Sequence, residues 1–412
     1  MVNMKKILMN TGYILLTIYV VMLAACADLN DIQQEYIDRG ERIYTGKAES
    51  LTVNGGLHRL QVTGTMQYAK AAEYCMLRWT NGTDTDSLKV PASNWQATDT
   101  MKVILNGLNE GAYRIFVQTY DKEGNSSLNV ECNGNVYGES FILSANANII
   151  SQIKFLMPSV IELSWAVSEK AESVEVVYES KTGNKTLFLP GNTATTELSD
   201  WKIGGEIKSR TAIIPEAGAI DMIYTNWLVQ SFPADDILDK TKITPLYLAN
   251  DAIPAYGGNA ANLFNDVFSE RTGGSQFASD FGIPNHLTFD LGVFAHLKRF
   301  EFWPSDTDDV WDPTAIQFWG IADVTGAEIT EPRTNNGDGG AAWEAEALAK
   351  GWVKLVEGRC TSFSGVNEFI SDNPAKIRYL IVRITEVQNV TGSSKIVKIS
   401  EVTLYSDDIT EL

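Results

Sequence analysis

The amino-acid sequence predicts an all-β protein made of small sandwich domains in series. Short runs of strand-forming residues recur along the chain, and turn signals such as Asn81-Gly82 and Asn106-Gly107 separate them. Regular short strands with turns between them are typical of β-sandwiches. A chain of 412 residues is long enough for several domains of ordinary size.

The charge balance excludes some classes of partner. The chain has 33 Lys and Arg residues against 52 Asp and Glu, a formal net charge of −19. Phosphate binding needs a basic patch, so this composition argues against nucleic acid and anionic lipid surfaces as partners. It suits neutral ligands such as sugars.

The first 26 residues have the layout of an export signal. Lys5 and Lys6 begin it, residues 7–21 are almost wholly apolar, and Leu-Ala-Ala precedes Cys26. This ending resembles the bacterial lipobox, which implies removal of residues 1–25 and diacylation of the Cys26 thiol. Acyl chains of that kind tether a protein to a membrane. An ordinary signal peptide with an accidental cysteine is the alternative.

The remaining cysteines cannot form a complete disulfide framework. They are Cys75, Cys132 and Cys360, an odd number. A disulfide between Cys75 and Cys132 and a buried free thiol at Cys75 both stay open.

The first sandwich is predicted over 46–143, after a polar, acidic tether at 26–45. Its sharpest pattern is the run 108–127, in which Tyr113 follows Leu108 by five residues and alternating strand residues lead to a Gly-Asn-Ser turn. This run resembles the late strands of a fibronectin type III or immunoglobulin-like module. The resemblance implies that Tyr113 bonds back to the corner backbone and serves folding.

A looser set of strands over 144–233 predicts a second immunoglobulin-like sandwich. The pair resembles the N-terminal halves of surface lipoproteins from glycan-scavenging Gram-negative bacteria, which implies a spacer role. The stretch 234–258 looks like a linker that becomes the edge of the last domain.

The last domain, 234–412, contains six motifs in a fixed order. They are a loop at Asn265-Asp266, Phe-Asp-Leu-Gly at 289–292, Trp-Gly at 319–320, Gly-Trp-Val-Lys-Leu at 351–355, Ile-Arg-Tyr-Leu-Ile-Val-Arg at 377–383, and Ile-Ser-Glu-Val-Thr-Leu-Tyr at 399–405. Together they resemble the coagulation factor 5/8 type C (discoidin) domain, a galactose-binding-like jelly roll. One departure is that the family's Asp-Gly loop is Asn265-Asp266 here.

The sequence contains no constellation typical of an enzyme. The histidines His58, His286 and His296 show no metal-binding spacing, and neither a nucleophile elbow nor a phosphate-binding glycine loop occurs. A glycosidase with paired carboxylates stays open because acids are plentiful, although small β modules rarely provide the deep cleft it needs. We therefore predict a non-catalytic protein.

The discoidin resemblance implies one structural Ca²⁺ ion. Domains of this kind often hold it between the loop after the first strand and a glutamate of the last strand. The matching residues are Asn265, Asp266 and Glu401, which offer the oxygen ligands that Ca²⁺ prefers. A solvated loop beside an edge-strand glutamate is the alternative. The acidic run 306–309 is interpreted as a solvated turn.

Ligand contact is expected from aromatic side chains on loops at one end of the jelly roll. Trp311 and Trp343 lie in polar, loop-like sequence, and Phe268 and Arg271 follow the first strand, so these four are the predicted ligand-binding residues. In the alternative, Trp311 and Trp343 pack over the barrel mouth. Two further indoles, Trp319 and Trp352, match framework positions and are predicted to be core, and Trp303 fits either role.

The whole pattern resembles an outer-membrane glycan-binding lipoprotein of a starch-utilisation-system-like locus. The resemblance implies that the C-terminal domain captures oligo- or polysaccharide near an outer-membrane transporter complex, with the sandwiches as spacers. A protein-binding adhesin or assembly scaffold is the alternative, since fold does not decide function.

Overall fold

The computed structural model describes residues 11, 15–20, 34, 38, 43–95, 99–268, 276–280, 282–304, 310–333, 340–388 and 396–412. Over these residues β-strands dominate and α-helix is confined to short segments, which confirms the predicted all-β class. None of the helices in the described ranges is long and apolar enough to cross a bilayer. The chain divides into two compact units, Met1–Ser144 with Ile214–Ile223, and Ala145–Ile213 with Tyr224–Leu412.

The first unit contains a β-sandwich. Its strands are β1 (Glu49–Gly56), β2 (Arg59–Thr65), β3 (Ala72–Thr80), β4 (Thr85–Pro91), β5 (Thr100–Asn106), β6 (Gly111–Asp121) and β7 (Val130–Val136), followed by the helix α1 (Glu139–Ser144). One antiparallel sheet has the order β1-β2-β5 and the other β4-β3-β6-β7. Alternate residues of β2 and β6, including Leu60, Val62, Ile115 and Val117, are fully buried and share one hydrophobic core, as period-2 patterning requires.

Tyr113 is a folding residue, as its resemblance to the sandwich tyrosine implied. The ring is buried in the core of the first sandwich. Its hydroxyl accepts a hydrogen bond from the Asn81 side chain at 3.2 Å and is also bonded by the backbone of Asn109, four residues upstream. The turn predicted at Asn81-Gly82 is also confirmed. Gly82 has φ of 96°, and the Asn81 side chain accepts hydrogen bonds from the backbone N–H groups of Thr83 and Asp84.

The cysteines of the described residues are free thiols. Cys75 and Cys360 are buried and Cys132 is partly buried, so the open question of a Cys75–Cys132 disulfide is answered in favour of free thiols. Burial raises the pKa of Cys75 to about 12 and that of Cys132 to about 11. Both therefore behave as small apolar residues and not as nucleophiles.

The second unit begins with another sandwich. Its strands are β8 (Ile149–Met157), β9 (Val160–Ala166), β10 (Ala171–Ser180), β11 (Gly183–Pro190), β12 (Thr195–Leu198), β13 (Glu206–Ile213), β14 (Ile223–Tyr224) and β15 (Leu228–Ser231). One sheet has the order β12-β9-β8, and the other contains β11-β10-β13 with β15 also paired to β13. Val176 of β10, Leu163 of β9 and the fully buried Trp201 share its core.

The rest of the second unit is the jelly roll. Its elements are β16 (Asp236–Ile237), β17 (Thr244–Pro245), β18 (Phe277–Ala278), β19 (Asn285–Trp303), β20 (Pro313–Ile321), α2 (Ala341–Ala349), β21 (Val353–Arg359), β22 (Asn367–Ile370), β23 (Lys376–Val387), β24 (Lys398–Ile399) and β25 (Glu401–Glu411). The main sheet has the order β16-β25-β19-β23-β20-β21, with β17 and β22 also on β19, and β18 pairs with β24. The long strand β19 thus places its C-terminal Trp303 opposite Glu401 of β25.

The stretch 234–258 is folded into the second unit, so its linker-like interpretation is wrong. Its strands β16 and β17 pair with β25 and β19, as expected of a stretch that becomes the edge of the last domain. The Asp235 carboxylate receives two hydrogen bonds of 3.0 Å from the Arg299 guanidinium, and the Ser159 backbone N–H donates to Asp236 at 3.0 Å. Leu238 is buried in the jelly-roll core. Because these partners come from distant parts of the chain, the polar sequence resembles a solvated linker.

Candidate ligand-binding site

The three residues predicted to hold calcium converge at one end of the jelly roll. A short 3-10 helix, Ala260–Phe264, is capped by Asn259 and leads into Asn265 and Asp266. The Asn265 backbone N–H donates to Glu401 Oε2 at 3.0 Å, and Asp266 takes the left-handed conformation with φ of 62°. Their convergence is therefore observed, while their role as metal ligands stays a prediction.

A lysine that the sequence reasoning missed lies among these residues. The Lys240 ammonium is 2.6 Å from Asp266 Oδ1 and 3.0 Å from Glu401 Oε1. The Lys240 side chain is 8% exposed and that of Glu401 is 0% exposed, whereas Asp266 is 70% exposed. Burial raises the pKa of the Glu401 carboxyl to about 7, and the charge and hydrogen bond of Lys240 oppose the shift.

The donor set does not fit a calcium ion while Lys240 is in place. Calcium is bound at 2.3–2.6 Å by several oxygen atoms. Here a positively charged nitrogen already contacts both carboxylates. Within the described part of the chain, no cluster of three or more His, Cys, Asp or Glu residues is arranged to hold a metal.

Three aromatic residues lie on segments next to this cluster. The Phe268 ring packs edge-on against Trp303, with 5.0 Å between the ring centroids, and remains 36% exposed. The Trp311 ring is half-buried and lies under the Lys398 ammonium, 4.3 Å from its centroid. We call Phe268, Trp303 and Trp311 the aromatic rim.

Backbone hydrogen bonds place the main chains of Trp303 and Trp311 beside one segment. The Trp311 carbonyl accepts from the Lys398 N–H at 3.2 Å, and the Trp303 carbonyl accepts from the Ser400 N–H at 3.0 Å. Both residues therefore lie beside 398–400, next to Glu401. The predicted residues Phe268 and Trp311 belong to the rim, while Arg271, Cys26 and the acidic run 306–309 lie outside the described residues.

Trp343 is not in a loop, and the expectation that its surroundings are loop-like is wrong. It lies in α2 and is 1% exposed, packed with Trp319 and Trp352 in a small core of its own. Its ring centroid is 5.6 Å from that of Trp319 and 5.1 Å from that of His286. The core positions predicted for Trp319 and Trp352 are confirmed.

The sequence carried a signal for this helix that was not used. The segment Ala341–Ala349 reads AAWEAEALA, which is rich in strong helix formers, and Trp343 and Ala347 share a face because they are four residues apart. The preceding glycines favour a turn. Gly340, with φ of 85°, is the N-cap residue at which the helix begins.

The buried pair of His286 and Asp251 is structural. His286 Nε2 is 3.2 Å from Asp251 Oδ1, but both side chains are almost fully buried. The Asp251 carboxylate also accepts from the Thr288 hydroxyl at 2.9 Å and from its backbone N–H at 3.1 Å. The pair therefore fixes the start of β19 and offers no base to a ligand in solvent.

Comparisons with known proteins find domains without assigned function and structures that are distant in sequence. Two family models match, DUF4998 over residues 26–223 and DUF5000 over residues 264–406, each described as a domain of unknown function. No curated protein sequence matches this chain.

Among solved structures, a SusE-like protein is 15% identical over 88% of this chain and 99% of its own, with a TM-score of 0.32. The family 32 carbohydrate-binding module of Clostridium perfringens NanJ, in complex with galactose, is 13% identical over 42% of this chain and 99% of its own, with a TM-score of 0.29. A two-domain fibronectin type III segment of chicken tenascin is 14% identical over 46% of this chain and 99% of its own, with a TM-score of 0.22.

Proposed function

We propose that this protein is a non-catalytic, lipid-anchored surface protein that captures carbohydrate through its C-terminal domain, 234–412. The observation that carries the proposal is the aromatic rim at one end of the jelly roll. Aromatic rings that remain partly exposed beside charged side chains combine an apolar contact area with polar groups, as ligand sites do. Phe268, Trp303 and Trp311 supply that combination.

The chemistry of the rim suits a neutral sugar. The C–H face of a pyranose ring packs on an aromatic face, and its hydroxyls bond to nearby charged groups. The exposed Asp266 carboxylate accepts hydrogen bonds beside Phe268, and the Lys398 ammonium offers donors above Trp311. The net charge of −19 disfavours polyanionic glycans.

The remaining parts of the proposal concern location and mechanism. Acylation of Cys26 anchors the chain to the outer membrane with the binding domain on the cell surface, and the sandwiches act as spacers between the anchor and that domain along the chain. A single shallow site of this kind binds weakly, so many copies on one membrane raise the avidity. Captured oligosaccharide then passes to an outer-membrane transporter complex.

We expect residues 27–412 to bind one class of neutral polysaccharide on a glycan array, and the Phe268→Ala and Trp311→Ala variants to bind it at least 10-fold more weakly. A tenfold loss corresponds to about 1.4 kcal/mol, within the range of one lost aromatic contact. Affinity electrophoresis in gels containing the polysaccharide measures the loss.

Trp227→Ala is the matched control for Trp311→Ala. Trp227 is also half-buried under a cation, with the Arg210 guanidinium 4.5 Å from its ring centroid, but it lies in the second sandwich. Its variant is expected to bind within about twofold of wild type, a difference below roughly 0.4 kcal/mol. Equal losses in both variants would remove the aromatic rim as the site, and a blank array from folded protein would favour a protein partner.

A further inference from the structure

We infer that Lys240 supplies the cation of the Asn265–Asp266–Glu401 cluster from within the chain, so that the C-terminal domain is independent of calcium. The cluster is the one place among the described residues where the discoidin resemblance calls for a divalent ion. In the structure, the ammonium of the Lys240 side chain occupies that place instead.

One ammonium contacts both carboxylates of the cluster without a metal. Glu401 is fully buried at the start of β25, and a buried carboxylate needs a nearby positive charge and hydrogen bonds to remain in the fold. Lys240 Nζ gives the charge at 3.0 Å, and the Asn265 N–H gives a hydrogen bond at 3.0 Å. Asp266 completes the contact to the ammonium at 2.6 Å.

The position of Lys240 is fixed by its own segment and not by the cluster alone. It begins the 3-10 turn Lys240–Lys242, and the preceding Asp239 caps that turn by accepting from the Thr241 N–H at 3.0 Å. Leu238 and Ile243, on either side, are buried in the jelly-roll core. A segment that is itself packed into the core therefore holds the Lys240 ammonium beside the two carboxylates.

The same ammonium connects the cluster to the aromatic rim. Lys240 Nζ lies 5.2 Å from the Phe268 ring centroid, and Phe268 contacts Trp303. A cation near the face of an aromatic ring is attracted to it. Lys240 thus orders the loop from Asn265 to Phe268 in the way a structural calcium ion would, without depending on the calcium concentration outside the cell.

Calcium sensitivity of residues 27–412 tests the inference directly. We expect the thermal midpoint of the wild type to be unchanged, within about 1 °C, between 5 mM EDTA and 10 mM CaCl₂, since a ligand that does not bind the folded state does not stabilise it. Calorimetric titration with CaCl₂ is expected to show no specific heat. A wild type that binds one calcium ion, or that loses stability in EDTA, overturns the inference.

Lys240→Ala removes the built-in cation. Because it leaves a buried carboxylate without its counter-charge, we expect the midpoint of the C-terminal domain to fall by roughly 6–20 °C. The variant also frees space between Asp266 and Glu401, so 10 mM CaCl₂ is expected to raise its midpoint by roughly 3–6 °C for a site of millimolar affinity. A Lys240→Ala protein as stable as wild type overturns the inference.

Lys242→Ala is the matched control, since Lys242 lies in the same turn but forms its ion pair with Glu411 in solvent. It is expected to change neither stability nor calcium response. If Lys240→Ala does not fold, Lys240→Met/Glu401→Gln gives the second test. This double variant keeps the size of the two side chains at 240 and 401 but removes their charges. We expect it to fold, with a thermal midpoint that does not change with calcium. A double variant that also fails to fold overturns the inference.

Discussion

Trp343→Ala is expected to destabilise the C-terminal domain by about 3–5 kcal/mol, because it removes a large aromatic side chain from a closed core. The ring is 1% exposed and packs against Trp319 and His286. Its loss leaves a cavity that α2 cannot fill, since Ala347 is the other buried residue of that helix. Differential scanning calorimetry of residues 27–412 resolves the transition of this domain.

Trp311→Ala is the variant with which the stability and the carbohydrate affinity of Trp343→Ala are compared. Trp311 is half-buried under Lys398, so its replacement is expected to change stability by less than about 1.5 kcal/mol while lowering carbohydrate affinity. Sequence reasoning assigned both indoles to the ligand. A Trp343→Ala protein of wild-type stability that no longer binds carbohydrate would contradict the structure and return Trp343 to the ligand site.

Arg383→Ala is expected to cost about 3–5 kcal/mol, because the guanidinium is fully buried and its neighbours are built around it. Its Nη1 donates to Gln317 Oε1 at 2.9 Å and to Glu344 Oε1 at 3.4 Å, and its planar group lies 4.2 Å from the Trp343 ring centroid. Arg383→Lys is expected to rescue little, since an ammonium reproduces neither the fork nor the stacking.

Arg359→Ala is the control for Arg383→Ala. Arg359 also pairs with a glutamate, Glu386, at 2.7 Å, but its side chain is 66% exposed. Exposed ion pairs contribute little to stability because water screens them, so this variant is expected to melt close to wild type. Urea unfolding followed by tryptophan fluorescence measures both variants, and equal losses for the two arginines would contradict the buried role of Arg383.

The fold was predictable because its signals are local. Strands such as β2 and β6 alternate buried and exposed residues along a few positions, and turns such as Asn81-Gly82 use residues that favour left-handed backbone. The ordered motifs of the C-terminal domain likewise correspond to strands β19, β20, β21, β23 and β25. Each of these features can be recognised within about ten residues of sequence.

The site was predictable only in part because its determinants are tertiary. Asn265, Asp266 and Glu401 were grouped correctly, but Lys240 lies in a stretch whose polar residues resemble a linker. Its role depends on a carboxylate 161 positions further along the chain, at Glu401. The burial of Trp343 likewise depends on partners from β19, β20 and β23, which the local sequence does not reveal.

The central claim is that the C-terminal domain binds intact carbohydrate without altering it. Isothermal titration of residues 27–412 with the oligosaccharide identified on the array, followed by chromatography of the recovered ligand, tests it most directly. We predict saturable binding of one oligosaccharide per chain, in EDTA as in calcium, and complete recovery of uncleaved ligand. No binding by the folded protein, or recovery of shortened ligand, would contradict the account.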